Sequence, residues 1–206
     1  MADGMNLAGD WKAEINRLRQ FPDRMRHEVQ LATRQNAVGL EGEIKDGIKS
    51  QAPGGEAYKP LSPITEMLRL QKRTRGDAQK ILRKAFKMWQ SGSGTPFKAL
   101  MDHGDLLGSI THHLFGDGMS AAIGVNRHAR SQDGKSMVDI ARIVFDGAII
   151  PVTARMRGYF FYNLNIRKSN APIVIPPRPT IEPVFKVYRP VMVGRYVRAL
   201  RRAAKI

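Results

Sequence analysis

The sequence predicts an α+β protein in which a long N-terminal helix and a C-terminal helix pack on a small antiparallel β-sheet, with a basic helical insertion between them. Three observations carry this prediction. Apolar residues recur at helical spacing up to about Ser50. Two alternating segments flank a glycine-containing turn in the middle of the chain, and the last residues again follow a helical period. With 206 residues and 42% hydrophobic content, the chain is large enough to bury a core.

The long helix is predicted from Pro22 to about Ser50, because proline is tolerated in the first turn of a helix. A shorter helix before Pro22 is expected to end there. On the long helix the apolar residues that share one face are Met25, Val29, Ala32, Leu40, Ile44 and Ile48. Gly39, Gly42 and Gly47 weaken this pattern without ending it. At 1.5 Å per residue, the predicted helix is about 40 Å long.

The basic insertion follows a turn-rich segment. Residues 51–63 carry prolines and glycines at close intervals, which is typical of turns. Residues 64–90 are rich in arginine and lysine, and their apolar residues fall in two clusters. A flexible Ser/Gly joint follows at 91–96. We therefore predict a single domain over 1–206 with a basic helical insertion at about 64–95.

A β-hairpin is predicted in the middle of the chain. The segments SITHHLF (109–115) and MSAAIGV (119–125) alternate in character, and the turn from Gly116 to Gly118 separates them. Glycine and aspartate between two alternating segments are typical of a tight hairpin. This pair of strands is the clearest β signal in the sequence.

Shorter elements are predicted after the hairpin. The segment VDIARIVFDGA (138–148) has the spacing of a short helix. Its predicted buried face consists of Val138, Ala141 and Val144. The aromatic block in 151–164 fits a strand or a short helix, whereas APIVI (171–175) predicts a short strand.

Three prolines then enclose Arg178, namely Pro176, Pro177 and Pro179. Each proline fixes φ and pushes the preceding residue toward extended geometry. The segment is therefore predicted to be a stiff connector, the proline joint, with a guanidinium at its middle. A C-terminal helix follows, and Pro190 is expected to kink it or delay its start.

The C-terminal helix is predicted to have two different faces. The apolar face consists of Val193, Tyr196, Val197 and Leu200. The basic face consists of Arg195, Arg198, Arg202 and Lys205. We expect the apolar face to pack against the rest of the chain and the basic face to meet a partner.

The net charge points to an anionic partner. The chain has 34 Lys and Arg against 18 Asp and Glu, a formal charge of +16. Such an excess favours contact with nucleic acid or an acidic protein surface, and the bland alternative is that it only keeps the protein in solution. The clustering favours a contact, because residues 186–206 contain basic residues and no acid.

Several classes of protein are disfavoured by the sequence. No run of eighteen apolar residues is present, so a transmembrane helix is not expected. The N-terminus lacks the basic start and apolar stretch of a secretory signal. The chain has no cysteine, which excludes disulfides and thiolate metal sites and fits a reducing compartment.

Catalytic, metal and cofactor sites are not expected. The five histidines lack metal-ligand spacing, and adjacent His112 and His113 in a strand would point to opposite faces. No nucleophile elbow, paired-carboxylate motif or glycine-rich phosphate loop is present. The sequence therefore predicts a protein that is not an enzyme and that holds no cofactor.

Three stretches, in this order, resemble the pattern of a known family. QAPGGEAYKPLSPIT (51–65) is similar to a Pro/Gly segment with an aromatic residue ahead of Pro-Leu-Ser. ALMDHGDLLGSIT (99–111) is similar to a segment that ends in Ser-Ile-Thr and leads into a strand. IPPRPTI (175–181) is similar to an Ile-Pro-x-Arg-Pro segment before the last helix, and 151–162 also resembles the family. Together they resemble the virion-morphogenesis family of tailed bacteriophages over roughly residues 20–200.

The sequence departs from that family pattern at a few positions. Tyr58 stands where tryptophan is usual, and Thr180 replaces the aromatic residue after the last proline of the joint. Asp105 and Leu106 replace a commoner Arg-Leu arrangement. These departures leave the position of the protein within the virion open.

The resemblance implies a structural subunit of a ring, sixfold in symmetry, that completes the tail and joins it to the head. The expected partners are further copies of the chain and the adjacent tail-tube, terminator or neck proteins. Sequence-independent contact with genome DNA in the channel is also open, and no membrane contact is expected. The implied location is the tail or neck of the virion, and the host cytoplasm during assembly.

Two groups of residues are the candidate contacts in such a ring. Subunit or partner contacts are assigned to Tyr58, Pro177, Arg178 and Pro179. Arg178 would bind an acid or a carbonyl across the subunit boundary, and the alternative is a solvated turn residue. Contacts to an acidic partner or to DNA are assigned to Arg189, Arg195, Arg198, Arg201, Arg202 and Lys205.

Two other functions remain open at this point. A non-specific DNA-binding protein of nucleoid or packaging type would rest on the same net charge. An enzyme acting on phosphorylated or other anionic substrates would also need positive charge, but the sequence offers no catalytic constellation for it.

Overall fold

The computed structural model describes residues 11–59, 61, 65, 69, 98–101, 104–158 and 172–204. These residues form the predicted α+β fold, with long helices at both ends of the chain and small antiparallel sheets between them. The predicted basic insertion at 64–95 lies outside the described residues except for Thr65 and Arg69.

Helix α1 spans Trp11–Ser50 without a break, so the predicted interruption at Pro22 is wrong. The helix has 40 residues and is therefore about 60 Å long. Pro22 is exposed, so the carbonyl group that loses its partner four residues earlier can bond to water instead. The predicted apolar face is buried toward the C-terminal end, at Ala32, Leu40, Ile44 and Ile48.

The last helix, α4, spans Ile181–Ala204. It therefore begins before Pro190 and not at or after it. Pro183 lies in its first turn, where the missing N–H group has no intrahelical partner to lose. Pro190 lies inside the helix on an exposed position, as Pro22 does in α1. The expectation that Pro190 would delay the helix is therefore wrong.

The predicted β-hairpin is confirmed. Strand β1 spans Ile110–Leu114, strand β2 spans Ala121–Val125, and the two strands are neighbours in one sheet. In the turn, the carboxylate of Asp117 accepts a hydrogen bond from the backbone N–H of Met119 at 2.9 Å. This bond is the main reason why the pKa of Asp117 lies below its ordinary value.

Helices α2 (Asp105–Ser109) and α3 (Met137–Asp146) enclose a small core. Ser136 caps α3, because its side-chain oxygen accepts a hydrogen bond from the N–H of Asp139. The predicted buried face of α3 is partly wrong, since Val138 is exposed. The buried side chains of this core are Leu106, Met137 and Ala141.

A second small sheet, absent from the sequence prediction in this form, pairs β3 (Ala148–Ile150) with β4 (Ile173–Ile175). The strands are antiparallel, with Ile149 opposite Val174. The strand predicted at APIVI is thereby confirmed. Residues 154–158 are helical, and the rest of the aromatic block lies outside the described residues.

The chain divides into two compact units. Unit 1 contains Met1–Gly39, His112–Ala122 and Tyr188–Ile206. Unit 2 contains Leu40–Thr111 and Ile123–Val187. The assignment of all residues to one virion-morphogenesis domain stays a prediction.

Candidate functional site

The three segments that carry the family resemblance meet in unit 2. The amide nitrogen of the Gln51 side chain donates to the carbonyl of Ala99 at 3.0 Å, and the backbone N–H of Ala99 donates back to the Gln51 side chain at 2.5 Å. The hydroxyl groups of Tyr58 and Thr180 lie 2.6 Å apart. Segment 51–65 therefore contacts both of the other segments, although they are far apart in sequence.

A tight turn brings the first of these segments against the start of α4. Pro53–Gly55 forms a single 3-10 turn, in which Gly54 has φ of +64°. A Cβ atom at Gly54 would lie 2.7 Å from the backbone carbonyl carbon and oxygen of Pro183. Only glycine has both this backbone angle and the space for this approach.

The proline joint exposes alternate residues. Pro177 and Pro179 are exposed, whereas Arg178 and Thr180 are buried. This alternation is the expected pattern for extended backbone, where successive side chains point to opposite sides. The backbone N–H of Arg178 donates to the carbonyl of Val144 in α3 at 3.0 Å, which fixes the joint to that helix.

The Arg178 side chain lies inside unit 2, where only 5% of its surface is exposed. Its Nε and Nη2 atoms donate to the carbonyl oxygen of Lys59 at 3.4 and 3.2 Å. Burial, and secondarily the charge of Arg69, lower the pKa of Arg178 from its ordinary value, but a guanidinium stays protonated in proteins. The alternative of a solvated turn residue does not fit this burial, and contact with a neighbouring subunit stays a prediction.

Tyr58 and Thr180, two of the residues that depart from the pattern that the sequence resembles, are hydrogen-bonded to each other. The Thr180 hydroxyl also lies 3.1 Å from the carbonyl oxygen of Arg178, to which it can donate. Either hydroxyl can be the donor in the Tyr58–Thr180 bond. Burial raises the pKa of Tyr58 above 10.0, against the opposing effects of the Thr180 hydrogen bond and the Arg178 charge.

In unit 1, a polar network joins α4 to α1. The Nη1 atom of Arg195 donates to the carbonyl of Gln35 and to the side-chain oxygen of Asn36, both at 3.1 Å. It also donates to the hydroxyl of Tyr188, and the guanidinium carbon lies 5.5 Å from the centre of the Tyr188 ring. The predicted partner contact Arg195 is thus engaged within its own chain.

The same network contains two buried polar residues of α1 that sequence reasoning missed. Thr33 Oγ1 lies 3.0 Å from the hydroxyl of Tyr196, and the Asn36 amide donates to the carbonyl of Met192 at 3.4 Å. The sequence did contain a signal for them. The predicted apolar face of α1 has no member between Ala32 and Leu40, and the polar residues occupy that gap.

Arg202, another predicted partner contact, forms an ion pair on the surface of unit 1. Its Nε donates to the Glu28 carboxylate at 2.8 Å. A surface pair of this kind contributes about 0–1 kcal/mol to stability. Arg202 nevertheless differs from the other exposed arginines of α4, because its charge is already balanced by Glu28.

Three of the four residues of the apolar face predicted to pack are exposed instead, and the fourth, Tyr196, is partly buried. Val193 is 51% exposed, Val197 is 40% and Leu200 is 44%. The buried side chains of α4 in unit 1 are Tyr188, Ala199 and Ala203. The prediction was wrong because it assigned the larger aliphatic residues to the interior, whereas this helix is buried through small side chains and a hydrogen-bonding tyrosine.

Three predicted arginines lie on the same stretch of α4 as the exposed residues, and we call the set Val193, Val197, Leu200, Arg189, Arg198 and Arg201 the α4 surface. Arg189 lies one turn before Val193 and Arg201 one turn after Val197, so each pair is adjacent on the helix. Within the part of the chain that the structure describes, these three arginine side chains make no hydrogen bond or ion pair. Lys205 lies outside that part.

The described residues contain no group of three or more His, Cys, Asp or Glu that could hold a metal ion. None of their helices combines the length and apolar character needed to cross a membrane. No protein-family model, curated protein or solved structure matches the chain.

Proposed function

We propose that the protein is a structural subunit of a tailed-phage particle that forms a ring at the head-proximal end of the tail and joins the tail to the head. The observation that carries this proposal is the α4 surface. Its three aliphatic side chains are about half exposed and its three arginines are uncompensated. An apolar strip bordered by charge is typical of a surface that another protein covers.

The arrangement in unit 2 supports the same proposal. Of the three segments that resemble the virion-morphogenesis family, 51–65 contacts each of the other two, and two departures from its pattern, Tyr58 and Thr180, are joined by a hydrogen bond. A rigid joint held in this way suits a subunit that must keep a fixed geometry in a closed ring. The implied partners are copies of the chain and neighbouring tail or neck proteins.

The proposal is tested by complementing a phage that lacks the gene with a double variant, Arg198→Glu with Arg201→Glu. Charge reversal on the α4 surface should prevent contact with an acidic neighbouring ring, because carboxylates would then face carboxylates. Electron microscopy of the lysate should show DNA-filled heads beside unjoined tails. The control is Arg127→Glu, which makes the same change of charge at one exposed arginine of unit 2. This variant should support the assembly of normal particles.

Two results would contradict the proposal. The first is a normal yield of particles from a double variant that circular dichroism shows to be folded. This result would mean that the α4 surface has no role in assembly. Empty heads in the absence of the gene would indicate a role in DNA packaging instead.

A second candidate function, sequence-independent DNA binding, is favoured by the formal charge of +16 and the exposed Arg189, Arg198 and Arg201. Filter binding at several salt concentrations tests it. If these arginines contact phosphates, log K should fall linearly with log salt, and the slope should become shallower by about 1 for each arginine that is replaced. No binding at low salt would leave the protein partner as the target of this surface.

A further inference from the structure

Helix α4 has two apolar faces in unit 1, and its own chain buries only one of them. The buried face includes the small side chains of Ala199 and Ala203. The other face consists of five exposed residues, which we call the aliphatic strip: Pro190, Val193, Val197, Leu200 and Ala204. The packing of unit 1 therefore leaves the larger aliphatic side chains of this helix uncovered.

The aliphatic strip has the spacing of a coiled-coil seam. Its successive members are separated by three, four, three and four residues, which is the pattern of core positions in a heptad repeat. At about 100° per residue, the five residues lie within a sector of about 80° on a straight helix, and at 1.5 Å per residue they extend over about 20 Å. A stripe as narrow as this matches a single helix that lies along it, whereas packing against a broader element needs a wider apolar face.

Arginines lie at both edges of the aliphatic strip. Arg189 lies about 20° outside the strip on one side, and Arg201 lies about 20° outside it on the other side. Residues beside a coiled-coil seam are the ones that face charges on the opposite helix. Both arginines are exposed, and within the part of the chain that the structure describes their side chains make no hydrogen bond or ion pair. Charge complementarity therefore calls for Asp or Glu on the partner beside its own apolar residues.

Two other occupants match this surface less well. A second copy of α4 lacks the required charge, because residues 186–206 contain no acid and two paired strips would bring arginines beside arginines. DNA matches the arginines but not the strip. Sequence-independent contacts go to the phosphate backbone, which offers no apolar surface to cover the aliphatic side chains.

We propose that the aliphatic strip is covered by an acidic amphipathic helix of another protein. This helix contacts α4 over about two heptads, carries apolar residues at alternating spacings of three and four, and has Glu or Asp beside them. It crosses α4 at about 20°, the angle of this kind of packing. The inference rests on the proposed function, and it adds the secondary structure and the charge of the segment that binds to the α4 surface.

The chemistry is tested with a fluorescent synthetic peptide of about three heptads, which has Leu at the core positions and Glu at the flanking positions. The Glu residues also disfavour pairing of the peptide with itself at neutral pH. Fluorescence anisotropy measures its Kd for the full-length protein. A peptide with Lys in place of each Glu should bind about tenfold more weakly, because its charges face Arg189 and Arg201. Equal affinity for the two peptides, or no binding of the Glu peptide, would overturn the proposal.

The role of the aliphatic strip is tested with Val197→Gln, for which Val191→Gln is the matched control. The two valines are exposed to a similar extent, 40% and 44%, and Gln is well tolerated in helices. Neither substitution changes the net charge. Val191 lies about 100° outside the strip on the same helix, so only Val197→Gln should weaken binding of the Glu peptide, by about tenfold. Equal losses in the two variants would mean that binding does not follow the strip and would overturn the proposal.

The other two occupants are tested with the same variants. Sedimentation velocity should show the same oligomeric state for the wild type and Val197→Gln. An oligomer that Val197→Gln dissociates would assign the strip to a second copy and would overturn the proposal. Duplex DNA binding that Val197→Gln weakens as much as Arg201→Gln does would assign the strip to DNA, with the same consequence.

The proposed function and this inference fail in different experiments. Normal head–tail joining by the variant with Arg198→Glu and Arg201→Glu would contradict the proposed function, whereas binding of the Glu peptide would still support a helix as the partner of the strip. Blocked joining without any peptide binding would support the proposed function and would overturn the acidic helix.

Discussion

Arg178 and Arg198 were both predicted to contact a partner, and their surroundings differ. Arg178 is buried in unit 2 and donates to a backbone carbonyl of its own chain. Arg198 is exposed on α4 and has no side-chain partner among the described residues. The arginine between prolines thus forms a contact in the interior of unit 2, whereas the arginine on a helix with exposed valines is available to another molecule. From the sequence, these two arginines can be distinguished only when the restraint that the prolines place on the backbone is considered together with the charge.

The largest effect that would sharpen this comparison is expected from Arg178→Met. The substitution leaves the buried carbonyl of Lys59 without its charged donor, and we expect the free energy of unfolding to fall by about 3 kcal/mol. Arg198→Met, the matched control on α4, should change it by less than about 0.5 kcal/mol. Urea denaturation measures both, and similar values for the two variants would show that Arg178 does not stabilise the joint.

Gly39→Ala should have the next largest effect, now within unit 1. A Cβ atom at this position would lie 2.0 Å from the hydroxyl of Tyr188, so that side chain and its bond with Arg195 must move. We expect a loss of about 2 kcal/mol.

Gly42→Ala is the control, three residues further along the same helix. Among the described residues, and apart from the backbone of α1 itself, no atom lies within 4 Å of a Cβ at Gly42. This variant should therefore be about 0.5–1 kcal/mol more stable than the wild type because alanine favours helix. Thermal unfolding of both variants in parallel checks the prediction. A destabilised Gly42→Ala would mean that this face of α1 is covered.

The smallest effect is expected from Tyr58→Phe, which removes the hydrogen bond to Thr180 and should cost about 1 kcal/mol at pH 7. The pKa of Tyr58 is raised in the folded protein, so the neutral form is favoured there. The wild type should therefore lose stability as the pH rises above 10.0, the ordinary value, toward the folded pKa. The difference in the free energy of unfolding between wild type and variant should become smaller over that range. A difference that stays constant would contradict the raised pKa of Tyr58.

The parts of the fold with a strong local pattern could be predicted from sequence. The hairpin around Gly116–Gly118 and the apolar face from Leu40 to Ile48 belong to this class, because turn chemistry and helical period are local. The continuity of α1 through Pro22 could not be predicted, because it depends on whether that side of the helix faces solvent. Local patterns favoured a break there.

The sequence identified the segments that form the candidate site, but it did not predict the contacts between them. The motifs identified Tyr58, Arg178 and Thr180 individually, and pairing Tyr58 with Thr180 required the fold. On α4 the sequence predicted that a helix forms, and it assigned the wrong residues to the buried face. Alanine at 199 and 203 carries little hydrophobic signal, yet small side chains are what allow a close approach to another element.

The bond between Arg178 and Lys59 has a consequence for how this protein tolerates mutation. Arg178 recognises the main-chain oxygen of residue 59, and the lysine side chain is exposed. Every amino acid offers the same carbonyl, so position 59 is free to change its side chain while position 178 is not. In a library of all single substitutions that is selected for folding, position 59 should therefore accept most amino acids and position 178 almost none. Segment 51–65 could then change its sequence at position 59 while the hydrogen bond to the proline joint is kept.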